Sequence, residues 1–289
     1  MSRAALSLAA IPVSRWRVSA WRVPSRLRIG VFAPSVTTAA TSATSARALG
    51  IQLGVEEATH AAALFGGSIE AVPVTASSLH ERSVAAVIGS GDLEACTTLG
   101  AAADAAGIAF VNTSCSNDNL RGRGCRATAF HVVPSDAMYR DATTRAELPG
   151  NAEAVAWDPS LTRFGADTLN ERFRARFNRP MTAEAWLGWL AVKVLWESSL
   201  RARSTDAKML MQYMSRDGTQ FDGHKGRPLS FRPWDHQLRQ PIYLVSKDDR
   251  GSTKVVAELP VVESADETSR EALDRLGTPA SRSACRMSP

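Results

Sequence analysis

The feature that most constrains this chain is a regular alternation along its first 112 residues, in which short apolar runs stop at polar loops and helix-like stretches lie between them. Residues 27–33 (LRIGVFA) are apolar up to Pro34 and predict a first β-strand. A Ser/Thr/Ala loop follows over 35–45. Residues 46–64 then predict a helix with Leu49, Leu53 and Val55 on its apolar side, Glu56 and Glu57 on its wet side, and Gly66-Gly67 as its stop. Residues 68–74 predict a second strand and 83–88 a third, buried one that stops at Gly89. A helix over 93–106 is ended by Gly107, and a fourth strand over 108–111 runs into Asn112-Thr113-Ser114-Cys115-Ser116-Asn117-Asp118. Such alternation predicts an α/β fold, a Rossmann-like parallel sheet with helices on both faces. Ligands of such sheets bind at the carboxyl ends of the strands.

Composition sharpens this. At 289 residues and 44% hydrophobic, the chain is long and apolar enough for a large domain or two lobes, and it has no run of eighteen apolar residues that would span a membrane. The formal net charge of +5 suggests nucleic acid, but Arg3, Arg15, Arg17, Arg22, Arg26 and Arg28 cluster at the N-terminal end and the first acid is Glu56. Without those arginines the remainder is close to neutral, so the basicity belongs to a tail and no nucleic-acid partner is expected. Residues 1–26 read as a leader. Ala4 to Val13 has the character of a secretory apolar region and Val18-Ser19-Ala20 that of a cleavage site, while the Arg- and Ser-rich, acid-free start also fits an organelle transit peptide.

Further along, residues 182–200 (TAEAWLGWLAVKVLWESSL) predict a helix capped by Thr182 and apolar on most sides, hence buried. Residues 206–215 predict a shorter amphipathic helix. Phe221 to Val245 reads as a two-strand insert, with Leu229 and Phe231 alternating on one strand and Ile242 to Val245 forming the other. After Val262 the chain turns polar and predicts a surface helix or a loose tail.

The loop from Asn112 to Asp118 is the best ligand candidate, because it follows a central strand and carries the Ser114 and Ser116 hydroxyls beside Asn117. These residue types are equally at home in an ordinary turn. Ser90-Gly91-Asp92 follows the third strand as a second wall, where Asp92 either holds an ammonium group or caps the next helix. Ser35, Thr37 and Thr38 make a third wall. A nucleotide-binding enzyme would need Gly-x-Gly-x-x-Gly after the first strand, where this chain has Gly30-Val31-Phe32-Ala33-Pro34-Ser35. No catalytic set emerges. Arg232, Trp234, Asp235, His236 and Arg239 read as a packing anchor with a local Arg232–Asp235 salt bridge, and the five histidines have no metal-site spacing. The run Arg121 to Arg126 (RGRGCR) reads as a solvated loop.

The stretch from Phe221 to Ile242, Phe-Asp-Gly-x-Lys-Gly-x-Pro-Leu-Ser-Phe-Arg-Pro-Trp-Asp-x-Gln-Leu-Arg-Gln-Pro-Ile, resembles the C-terminal region of type I periplasmic solute-binding proteins. It is closest to the branch that accompanies pyrroloquinoline-quinone-dependent alcohol oxidation. Phe130 to Met138 (FHVVPSDAM) is similar to that family's crossover between lobes, and FGADTLNERFRARFNRP to its return helix. The resemblance implies a periplasmic, non-enzymatic substrate-binding component of an ABC transporter, without cofactor or metal, that takes a small-molecule ligand and meets an ABC permease. A degenerate sensor, or a partner of a periplasmic quinoprotein dehydrogenase, is the alternative. It implies that the loops holding Ser90, Asp92, Ser114, Ser116 and Asn117, with Thr37, touch the ligand.

The chain departs from the family between Asp136 and Trp157, where only 20 residues stand in place of several strand–helix units of about 30 residues each. The expected layout is therefore lobe 1 over 27–134 and 160–219, a reduced lobe 2 with the strand pair over 135–159 and 220–262, and a tail over 263–289. The family contexts of Cys125 and Cys285 imply a disulfide that pins this tail, although spacing alone leaves all four cysteines open as free thiols.

Overall fold

The computed structural model describes residues 26–32, 45–64, 66–145, 152–248, 251 and 253–287. The leader-like segment up to residue 25 and the loop with Ser35, Thr37 and Thr38 lie outside the described residues.

Five strands form a parallel sheet in the order β2-β1-β3-β4-β5, with β1 Leu27–Phe32, β2 Ile69–Val74, β3 Ala86–Gly89, β4 Ala109–Asn112 and β5 Ala129–His131. The period-2 geometry of a strand sorts the side chains to two faces. Ile29, Ala86, Ile88, Ala109, Val111 and Phe130 face helices α1 (Ala46–Ala63), α4 (Ala166–Phe177) and α5 (Ala183–Ala202). Val87, Phe110 and Ala129 face α2 (Leu93–Ala105) through Cys96, Leu99 and Ala103. Both faces being covered explains why the strands read as continuous apolar runs rather than as alternating ones.

Helix α5 is buried around most of its girth because it lies against α1 as well as the sheet. The backbones of the two helices nearly touch. A Cβ on Gly50 would come within 1.8 Å of the Ala185 carbonyl oxygen, and one on Gly188 within 2.3 Å of the Arg47 carbonyl oxygen. Thr182 caps α5 by accepting from the Ala185 amide, as its sequence position predicts.

A second sheet, entirely antiparallel, runs β10-β9-β6, from β6 Glu153–Val155, β9 Ile242–Lys247 and β10 Thr253–Leu259. One face packs on α3 (Asp136–Arg145), where Met138 and Ala142 meet Ile242, Leu244 and Leu259. This corrects the two-strand insert. Ile242–Val245 pairs with β10 and β6, whereas β7 (Ser230–Phe231) closes a separate small hairpin with β8 (Leu238–Arg239). The six residues between Phe231 and Leu238 join those two strands locally, and Pro241, which has no N–H to donate, follows the end of that ladder.

After Val262 the expected helix forms, with one side packed inward rather than lying wholly on the surface. Residues 269–274 form α7, held by a capping box between Thr268 and Glu271, and Ala272, Leu273 and Leu276 are buried. Asp274 takes a two-pronged ion pair from Arg239 at 2.7 and 3.1 Å. Cys125 and Cys285 are joined by a disulfide, and Cys96 and Cys115 are free and buried. Arg232 lies 3.3 Å from Asp274 but 3.8 Å from Asp235, so the expected local pair is the longer of its two contacts. Trp234 is only half-buried, its ring between the guanidinium groups of Arg232 and Arg239 at 5.3 and 5.4 Å.

Candidate ligand-binding site

The loops after β3 and β4 leave the sheet side by side, because Gly89 and Asn112 are register partners at the carboxyl ends of adjacent parallel strands. Asn112 organises the second loop. Its side-chain oxygen accepts from the Ser114 and Cys115 amides at 3.1 and 3.0 Å, and its Nδ2 donates to the Cys115 carbonyl at 2.8 Å. Ser114 joins the two loops: its hydroxyl accepts from the Gly91 amide at 2.8 Å and donates to the Gly91 carbonyl at 2.9 Å.

The residues expected to touch a ligand therefore divide. Ser114 is committed to this stitch. Asp92 caps α2 by accepting from the Ala95 amide at 2.8 Å, and Asn117 caps a short 3-10 turn by accepting from the Asn119 amide at 2.9 Å. Asp118 accepts from the Ala137 amide and pairs with Arg140, both through single oxygens. Ser90 and Ser116 are half-buried, and among the described residues their hydroxyls make no hydrogen bond. Thr37 lies outside the described residues. Ser90 and Asp92 thus lie on one of two adjacent strand-tip loops and Ser114, Ser116 and Asn117 on the other, with the Ser90 and Ser116 hydroxyls uncommitted.

Beneath these loops sits a polar layer that sequence reasoning missed. Arg121, placed in the expected solvated run, is instead 4% exposed. It donates to the Gln237 side chain at 2.7 Å and to the carbonyls of Cys115, Asn117 and Val133 at 2.8, 3.1 and 2.9 Å. Burial lowers its pKa to about 10, so it stays charged at neutral pH. Gln237 donates to the His131 and Val133 carbonyls, and Gln240 to the Val132 carbonyl at 2.6 Å. The crossover after β5 is thus fastened both to the candidate loop and to the Asp-His-Gln-Leu-Arg-Gln run. That run's two glutamines in a wholly buried stretch were the one available signal, since an amide is buried only where partners await it.

Two histidines share this layer. His131 sits 3.0 Å from the Asn112 amide nitrogen and is held neutral, well below the usual range, by burial and then by Arg121. His236 stacks on Phe130 at 4.3 Å, and burial lowers it to about 4. Its Nε2 lies 3.2 Å from the Ser215 hydroxyl, while among the described residues its buried Nδ1 has no hydrogen-bond partner and no carboxylate orients the ring. Burial and the neighbouring Cys115 push the Cys96 thiol up to about 11, away from reactivity.

No family model matches the chain, and no curated protein matches it. Solved structures do. A periplasmic binding protein from Burkholderia mallei is similar with a TM-score of 0.65 at 13% identity, over 90% of this chain and 98% of that one. An ABC transporter substrate-binding protein from Desulfitobacterium hafniense, in complex with Leu, has a TM-score of 0.67 at 15% identity, over 80% of this chain and 100% of that one. A branched-chain amino acid transporter substrate-binding protein from Streptococcus pneumoniae, in complex with isoleucine, has a TM-score of 0.59 at 16% identity, over 81% and 99%. The fold of this chain is the type I periplasmic-binding-protein fold.

Proposed function

We propose that this chain is the substrate-binding component of an ABC transporter, acting in the periplasm and capturing a small polar solute such as an amino acid, an amide or an organic acid. The observation that carries this reading is the pair of strand-tip loops stitched through Ser114 and Gly91, with the Ser90 and Ser116 hydroxyls left uncommitted beside the α2 N-terminus. On the same fold, the Desulfitobacterium and Streptococcus proteins are held in complex with Leu and isoleucine. A carboxylate or ammonium at such a site is met by hydroxyls and helix-end amides rather than by a nucleophile.

The second lobe is reduced in this reading. Among the described residues its sheet consists of β6, β9 and β10 alone, with α3 on one face. A clamshell with one short wall buries less of its ligand, so binding is weak or absent. The resemblance of Phe221–Ile242 supports a link to quinoprotein-dependent alcohol oxidation. The alternative role, association with such a dehydrogenase, draws on exposed Val261 and Val262 beside β10.

Calorimetric titration with leucine, isoleucine and short organic acids tests the first reading: weak, saturable binding lost in Ser116→Ala is expected. Turnover of a solute, or absence of saturable binding with unaltered Ser116→Ala behaviour, overturns it. Pull-downs with the permease and with the dehydrogenase separate the two partner assignments.

A further inference from the structure

A cavity lies on the opposite face of the β10-β9-β6 sheet from α3. Ile242 and Leu244 point to α3, so Tyr243 between them points the other way, into this cavity. The sheet therefore separates the cavity from the loops of the proposed solute site, one of which is anchored to the α3 N-terminus through Asp118. Its volume is about 400 Å³, and Arg163, Phe164, His224, Tyr243, Lys254 and Val256 contribute to its lining.

Three features distinguish it from a surface groove of chance. The first is backbone strain at its rim. Phe164 has φ +59° and His224 φ +57°, left-handed values that are rare for such residues, and Phe164 is 52% exposed. The ring is seated deliberately: Gly226 lies under it, and a Cβ there would come within 2.3 Å of the Phe164 ring. The second is a β-bulge between Val255 and Ala257, which turns Val256 outward to 44% exposure.

The third feature is a polar group left free to face the cavity. Tyr243 is 3% exposed, and its hydroxyl makes no hydrogen bond among the described residues, so the little of it that meets solvent is open to a ligand. Arg163, exposed and with its guanidinium 4.7 Å over the Phe164 ring, has no carboxylate partner among the described residues. The acid in the lining, Glu258, is engaged by Arg227 at 3.5 Å.

We propose that this cavity binds a small organic anion with an apolar body. The Arg163 guanidinium attracts the carboxylate, the Tyr243 hydroxyl donates to it, and Phe164 and Val256 cover the hydrocarbon part. The proposal is independent of the solute site at the β3 and β4 loops.

Para-fluorobenzoate followed by fluorine NMR on the full chain tests it. Saturable binding is expected, competed by hexanoate and unaffected by excess leucine. Neutral para-fluorobenzyl alcohol should bind about tenfold more weakly, as should para-fluorobenzoate to Arg163→Gln, since a charge-assisted hydrogen bond is involved. Tyr243→Phe removes a hydroxyl that holds nothing in the fold, so it should weaken binding severalfold with an unchanged melting temperature. Absence of saturable binding, equal binding of the alcohol, equal binding by both variants, or displacement by leucine would overturn the proposal.

Discussion

Replacing Arg121 by Met should be among the most damaging single changes to the candidate loop, although it keeps chain length and removes only a charged head. The guanidinium makes four hydrogen bonds, to Cys115, Asn117, Val133 and Gln237, at 2.7 to 3.1 Å. Three of these acceptors keep another donor, Cys115 from Asn112, Asn117 from the Leu120 amide and Val133 from Gln237, so the Gln237 side-chain oxygen is the one left without a donor, at a cost of about 1–3 kcal/mol. At roughly 2–4 °C per kcal/mol for a chain of this size, the melting temperature should fall by about 6 °C. The control is Arg126→Met, which removes a solvent-exposed pair with Asp104 worth at most about 1 kcal/mol. Calorimetric or circular-dichroism melts of the two variants decide the matter. If Arg121→Met melts within about 2 °C of Arg126→Met, the polar layer does not hold the loop and the reasoning fails.

Other consequences can be measured on the same purified protein. His236 has a folded pKa of about 4 against an ordinary 6.5, so the unfolded chain takes up a proton first. Stability is therefore flat above pH 6.5 and falls towards pH 4, by up to about 3 kcal/mol, with His131 adding in the same direction. Urea midpoints at pH 7 and pH 5 should differ in the wild type and differ less in His236→Phe. Gly188→Ala should destabilise by about 1–3 kcal/mol or more, because its new methyl meets the Arg47 carbonyl oxygen at 2.3 Å and backbone cannot step aside; an unshifted melt would contradict the close packing of α1 and α5. Cys125→Ser/Cys285→Ser opens a loop of 160 residues and should lower stability by up to about 5 kcal/mol, with hydrogen exchange rising first over residues 276–287.

The parallel sheet was legible because buried parallel strands advertise themselves as unbroken apolar runs with glycine stops, and Leu27, Ile88 and Val111 lie where those runs place them. Helix α5 was legible for the same reason, down to its Thr182 cap. Strand β5 and helix α3 were not. Phe130 and His131 form only a three-residue strand, and α3 is too polar for an apolar face to stand out. The pairing of Ile242–Val245 with β10 is a long-range choice that local alternation cannot specify. In the candidate site, the positions of Ser114 and Asp92 were readable but their duties were not, since one hydroxyl or carboxylate serves a cap, a stitch or a ligand equally well. Arg121 was misread because arginine beside glycine looks solvated, and only the carbonyls gathered by the fold make its burial tolerable.

The central claim, that the β3 and β4 loops capture a small polar solute without changing it, is tested most directly by an amide NMR titration with leucine up to millimolar concentrations. The account predicts saturable shifts concentrated at residues 90–92 and 114–118, abolished by Ser116→Ala, with leucine recovered intact. Silent loops at saturating leucine, or shifts confined to other parts of the molecule, would contradict it.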